Sequence, residues 1–232
     1  MQDNKKSIGI LGGMGPDASA QLYRIMIELA RTKYQAQENQ DYPDIVLHSV
    51  PVPDFISKKQ NVPIALAMLQ SSVRQLGPTC RVLAIACNTA HLLLSDLQSQ
   101  TDTPFVSMIE STAKKVVNDG HKKIGLLATP TTFRSQLYQN ALQLYDVQVI
   151  TPDDAQIYEL GEIVLSILAG DFNQSPHRLV AIADVLVKQG AEVVILGCTE
   201  LPLVFPKKFS IPVVSSLDVL ADTLLERFYR PL

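Results

Sequence analysis

No apolar run in this 232-residue sequence approaches the roughly 20 consecutive apolar residues that a bilayer-crossing helix needs; residues 193–196, for instance, are closed at once by Gly197. A transmembrane helix and a membrane partner are therefore not expected. Charge of one sign is also missing. Twenty Lys and Arg stand against 23 Asp and Glu, a net charge of −3, so no basic surface is offered to nucleic acid or to anionic lipid. Cysteine is scarce and odd in number: Cys80, Cys87 and Cys198 make no disulfide framework, and each thiol needs its own reason. No C-x₂₋₄-C pair occurs, so the usual zinc signature is lacking although Cys87, His91 and Cys198 offer thiolate and imidazole; no metal is expected. No G-x-S-x-G elbow surrounds any serine, which argues against a Ser-His-Asp hydrolase. Residues 1–6 pass straight into an Ile-rich strand without a long apolar leader region or a small-residue cleavage site, and the expected location is the cytoplasm.

What is present is ordinary globular material, 47% hydrophobic and 19% charged, sufficient for one large core or two smaller ones. Short runs rich in Ile, Val and Leu fall at residues 7–11, 44–50, 82–86, 105–106, 123–128, 147–150, 193–196 and 213–214. Between them lie stretches of helical period, such as 17–33 and 63–76. This alternation predicts βαβ units and parallel sheets, with strands apolar enough to be buried on both faces.

The chain also repeats itself. Ile8-Gly9-Ile10-Leu11 returns as Ile124-Gly125-Leu126-Leu127, and the run 83–89 ending Cys87-Asn88-Thr89 returns as 193–200 ending Cys198-Thr199-Glu200. Pro104-Phe105-Val106-Ser107 returns as Pro212-Val213-Val214-Ser215. Three collinear matches predict two similar α/β halves. Residues 1–103 with 214–232 are expected to form the first domain, carrying Cys87, and 104–213 the second, carrying Cys198. Matching strand ends would face a cleft, where ligands of α/β sheets bind.

Cys87 and Cys198 occupy equivalent positions, each just past an apolar strand and before a polar turn that opens a helix. Backbone N–H groups at such a turn stabilise an anion, so both thiols are expected to be enriched in thiolate. Cys80 has no counterpart in the second half and reads as a small packing residue. His91, four residues past Cys87, either orients the thiol or is a hydrogen-bonded helix histidine. Gly13, Gly15 and Ala18 satisfy G-x-G-x-x-A after a strand, yet the second strand ends His48-Ser49-Val50-Pro51, without the acid that grips a ribose. The glycines are expected to let backbone amides approach a small carboxylate instead. Thr129-Pro130-Thr131-Thr132 lies at the equivalent place in the second half, where the threonines either bind a carboxylate or cap a helix.

Together, Gly12-Gly13-Met14-Gly15-Pro16, Ala86-Cys87-Asn88-Thr89-Ala90-His91 and Gly197-Cys198-Thr199-Glu200 resemble the aspartate/glutamate racemase family, in particular its cofactor-independent aspartate racemases. The resemblance spans nearly the whole chain. It implies two pseudosymmetric, doubly wound parallel-sheet domains with the active site between them, assembly as a homodimer, and no cofactor. It further implies that Cys87 and Cys198 are the acid/base catalysts of an amino-acid racemase, with Gly13, Met14, Asn88, Thr89, Thr132, Thr199 and Glu200 at a small acidic amino acid, aspartate first and glutamate next.

One departure bears on that substrate. Family members that handle aspartate can carry basic residues at positions that match Phe55 and Leu168 here, so either Lys58, Lys59 or Arg134 serves a side-chain carboxylate instead, or the side-chain pocket is built for a less acidic amino acid. Rival readings are a hydantoin racemase, a maleate isomerase and a cofactor-free decarboxylase, and, from another class, a non-catalytic small-molecule-binding protein. The retained pair of thiols favours racemisation, since a decarboxylase needs only one proton donor.

Overall fold

The computed structural model describes residues 7–55, 58–173 and 175–230. Residues 1–6, on which the expectation of a missing leader falls, lie outside them. All eight expected strands form: β1 (Ser7–Gly12), β2 (Ile45–Ser49), β3 (Cys80–Ile85), β4 (Phe105–Val106), β5 (Lys123–Ala128), β6 (Gln148–Ile150), β7 (Val193–Gly197) and β8 (Val213–Ser215). Helices α1 (Pro16–Thr32), α2 (Val62–Leu76), α3 (Leu94–Gln98) and α4 (Met108–Asn118) fall among and after the first four. Then come α5 (Pro130–Arg134), α6 (Leu137–Gln143), α7 (Asp154–Leu168), α8 (Ser175–Lys188) and α9 (Ser216–Tyr229).

The strands build two four-stranded parallel sheets, ordered β2-β1-β3-β4 and β6-β5-β7-β8. The order is the same in both. The internal repeat is thus a repeat of topology, each copy joining its parallel strands by crossovers that run through helices. The chain divides into two compact units, one ending at Met108 and resuming at Leu220, the other Ile109–Val219. Each short fourth strand stays with its own sheet, β4 on β3 and β8 on β7, so the chain leaves each unit in the helix that follows.

Burial separates centre from edge. β1 and β7 are buried throughout, and β3 and β5 are buried except at Arg81 and Lys123. The edge strands β2 and β8 are only partly covered, because a strand with one neighbour cannot be enclosed as a central strand is. Helix starts follow local chemistry. Pro16 opens α1 at a position where its missing N–H costs nothing. Asp153 and Gln156 form a reciprocal capping box on α7. In α1 the buried Ala18, Leu22, Ile25, Met26 and Ala30 repeat at helical spacing and set one stripe on the sheet.

Gly9 and Gly125, equivalent in the repeat, mark where a neighbour comes too close for a side chain. A Cβ on Gly9 would lie 2.5 Å from a Leu83 methyl and 2.8 Å from the Cys80 sulfur. Cys80 is accordingly a buried packing residue of the first core. Gly9→Ala is expected to cost about 1–3 kcal/mol by overpacking. Adding Cys80→Ala should recover part of that loss, so urea unfolding of the single and double variants will show a coupling of about 0.5 kcal/mol or more. Strict additivity would contradict the contact.

Candidate functional site

In the first unit the carboxyl edge of the sheet gathers three turns. The Val50 N–H donates to Gly12 C=O at 3.0 Å and the Ala86 N–H to Leu11 C=O at 2.9 Å, prolonging the ladders just past the strands. Gly13 has φ +91, and a Cβ there would meet the Val50 carbonyl oxygen at 2.5 Å, so only glycine fits between the β1 and β2 exits. Its N–H donates to Ser19 Oγ at 3.0 Å, and that hydroxyl donates to Gly15 C=O at 3.0 Å. The glycine turn is thus held from within by the first turn of α1. Met14 packs into the core that also contains Val50, Phe55 and Cys87.

Cys87 lies two residues past β3 and is 3% exposed. Asn88 and Thr89, also buried, start a one-turn 3-10 helix, Thr89–Leu93, that brings His91 back beneath the thiol-bearing turn. His91 Nδ1 lies 2.9 Å from Cys87 C=O, and its Nε2 accepts from the Met108 N–H at 2.9 Å. An amide can only donate, so Nε2 bears the lone pair and Nδ1 the proton. His91 is therefore a hydrogen-bonded neutral histidine that addresses backbone. Burial holds its pKa down at about 4, against the pull of backbone hydrogen bonds at Cys87 and Asn88.

In the second unit Cys198 follows β7 directly and is 4% exposed. Its thiol donates to Glu200 Oε2 at 3.0 Å, and the Thr199 hydroxyl donates to the same oxygen at 3.0 Å. One residue, Thr199, separates thiol and carboxyl group, and the 3-10 segment Leu201–Leu203 follows directly. Thr129 caps α5: its Oγ1 accepts from the Thr132 N–H at 3.2 Å and donates to Thr132 Oγ1 at 3.0 Å. Both threonines are buried, so helix capping is their observed use.

Sequence reasoning missed Tyr138. It is fully buried in α6, its ring edge against Gly197 where a Cβ would sit 2.8 Å away, and its hydroxyl bonds Thr112 and Ser216. Burial pushes its phenol well above the ordinary tyrosine range. Ser216 in turn donates to Leu196 C=O at 2.9 Å, so a buried hydroxyl chain underlies the strand end that bears Cys198. In sequence Tyr138 looks like any apolar-face residue of a short helix. Phe55 is buried in the first core at 5% exposure, whereas Leu168 is 45% exposed at the end of α7, so these two positions do not share an environment. Lys58, Lys59 and Arg134 are exposed, and the Arg134 guanidinium donates to Thr131 Oγ1 at 3.1 Å. Among the described residues no three His, Cys, Asp or Glu side chains gather as a metal site, and no helix is long and apolar enough to cross a membrane.

The sequence can also be compared directly with known families. The family model "Asp/Glu/Hydantoin racemase" matches residues 11–224. The chain belongs to this family. Over 223 residues it is 26% identical to the broad specificity amino-acid racemase RacX of Bacillus subtilis, covering 95% of this chain and 97% of that protein. An aspartate racemase homologue from Pyrococcus horikoshii OT3 superposes with a TM-score of 0.79 at 30% identity, over 96% of this chain and 99% of that one. The aspartate racemase of Picrophilus torridus gives a TM-score of 0.83 at 25% identity, over 96% and 94%. The protein is an isomerase of the racemase class.

The neutral His91 makes the racemase sensitive to acid. Its folded pKa, about 4, lies below the ordinary 6.5, so between these values the unfolded chain binds the proton and the folded one does not. Stability from this group is complete above pH 6.5 and is lost as pH falls towards 4, by up to about 3 kcal/mol. Urea unfolding at a series of pH values should show a shallower acid loss in His91→Asn than in the parent protein. Parallel slopes in the two would contradict the assignment.

Proposed function

We propose that this racemase inverts the α-carbon of a small acidic amino acid, aspartate first and glutamate next, with Cys87 and Cys198 as its acid/base pair and no cofactor. The observation that carries the reading is the equivalent placement of the two thiols, at the exits of β3 and β7 in sheets of identical strand order. A racemase must take the α-proton from one face and return a proton to the other, which needs one base and one acid. In one direction the Cys87 thiolate accepts the α-proton and becomes a thiol, and the Cys198 thiol gives its proton to the opposite face and becomes a thiolate. In the reverse direction the roles exchange. The carbanion formed between these steps is stabilised through its α-carboxylate by donors at Met14, Asn88, Thr89 and Thr199, while Gly13, whose N–H bonds Ser19, and Thr132, which is engaged in capping α5, shape the turns that carry them. Glu200, which accepts a hydrogen bond from the Cys198 thiol, is the remaining substrate-side residue of this reading. The same reading takes the enzyme as a cytoplasmic homodimer.

The names of two relatives, an aspartate racemase and an aspartate racemase homologue, support the acidic substrate. A second reading, broad specificity extending to uncharged amino acids, is favoured by the burial of Phe55 among apolar residues and by the similarity to RacX. Without a cation a side-chain carboxylate in a partly dry site is costly. Comparison of kcat/KM for aspartate, glutamate and asparagine separates the two. If aspartate leads, removing the charge of whichever of Lys58, Lys59 and Arg134 serves it should raise KM about tenfold or more. A preference for asparagine would replace the acidic assignment with the broad one.

The reaction itself is tested in deuterated water with no added cofactor, following α-proton exchange by NMR and loss of optical rotation. Either Cys87→Ala or Cys198→Ala should abolish racemisation from both enantiomers while leaving exchange from one. Cys80→Ala should racemise normally. Full racemisation by either of the first two variants would eliminate the two-thiol mechanism, and no exchange with any amino acid would leave a binding protein in its place.

A further inference from the structure

We propose, on the two-thiol reading above, that His91 is a positioning residue for Cys87: it pins the thiol-bearing turn to the start of α4 and thereby governs the half-reaction that Cys87 performs. Cys87 lies beyond the register of β3, whose last pairing with β1 is Leu11 with Ile85, followed by the Ala86 N–H to Leu11 C=O bond. The imidazole adds a further attachment there, donating from Nδ1 to Cys87 C=O and accepting at Nε2 from Met108, each at 2.9 Å. A planar ring bonded at both nitrogens fixes the distance and direction between these two backbone groups, and with them the plane of the peptide that follows Cys87. Both nitrogens are engaged by backbone, so the ring is placed to hold the turn and not to exchange protons with substrate.

The second unit supplies an independent reason to read this as a required link. Met108 and Ser216 are equivalent in the repeat, each following the Ser that ends the fourth-strand motif. Ser216 also ties the start of its helix to the cysteine-bearing strand, through Oγ to Leu196 C=O at 2.9 Å. Both copies tie the start of that helix to the cysteine-bearing segment with different side chains, a histidine reaching from the turn to the carbonyl of Cys87 in one and a serine reaching from the helix to the strand carbonyl two residues before Cys198 in the other. A mere helix cap on α4 would not call for the opposite end of the ring to hold the carbonyl of the cysteine.

The test compares His91→Phe, which keeps ring volume and loses both bonds, with His91→Gln and His91→Asn, which retain a donor. Solvent exchange of the α-proton is measured separately from the L and D forms of the best substrate, in parallel with Cys87→Ala. In His91→Phe exchange should fall about tenfold or more for the enantiomer that also stops exchanging in Cys87→Ala, and change little for the other, with partial recovery in one of the amide variants. A purely structural role would lower both enantiomers together, and that result overturns the proposal. A second measurement needs no turnover: alkylation of Cys87 and Cys198 by iodoacetamide, followed by peptide mass spectrometry. Loosening the turn should accelerate labelling at Cys87 alone in His91→Phe, or in His91→Gln if the former does not fold. Equal change at both cysteines, or at neither, also overturns it. If Cys87→Ala leaves both exchanges intact, the two-thiol mechanism fails, and the labelling still decides whether His91 holds the turn.

Discussion

Parallel pairing is the constraint from which the rest follows. A strand hydrogen-bonded in parallel must hand the chain on at the same edge as its neighbours and recover it at the other, after a crossover over the face of the sheet. All four strand exits of a sheet therefore lie along one edge. In the first unit that edge collects the glycine turn, the turn after β2, Cys87 to His91, and Ser107. In the second it collects Thr129 to Thr132, Cys198 to Glu200, and Ser215. The apolar cores beneath, built on β1 with β3 and on β5 with β7, hold those edges in register by burying the strands that end there.

Within that frame the two copies are filled differently. Both bury a cysteine, yet the Cys198 thiol bonds the Glu200 carboxyl group directly, while at Cys87 an imidazole bonds the cysteine's own backbone carbonyl. The first turn is closed by glycine and Ser19, and its counterpart by a pair of threonines. Such divergence is what a repeat permits once the strand order has fixed where each turn emerges: the backbone requires that orphan donors and acceptors be met, not that the same residue meet them.

This explains which features the sequence displays. The eight strands are legible because central strands of parallel sheets must be apolar on both faces, and such runs stand out between helical stretches; the edge strands kept enough of the pattern to be found although the fold leaves them half-covered. The cysteine pair is legible because it recurs at the same offset from a strand. The bond from Cys198 to Glu200 is not, since it depends on the turn after β7 bringing the two side chains together. The reach of His91 to Met108 spans 17 residues and exists only once β4 has paired with β3. Tyr138 carries no signal, because a buried tyrosine is told from a buried phenylalanine only by the partners its hydroxyl finds.

The carboxyl group bonded to the Cys198 thiol has a bounded consequence under the proposed reaction. Enantiomers in water have equal free energies, so the equilibrium constant between them is one, and kcat/KM must be the same in both directions whatever surrounds each sulfur. The carboxylate at Cys198 therefore cannot make the enzyme favour one product. It can only redistribute the barrier, lowering the step in which Cys198 is the base and changing kcat and KM of the two directions by matching factors. An excess of one hand of the amino acid then has to come from a later reaction that consumes one enantiomer, because the geometry of this site, however asymmetric, leaves the two in balance.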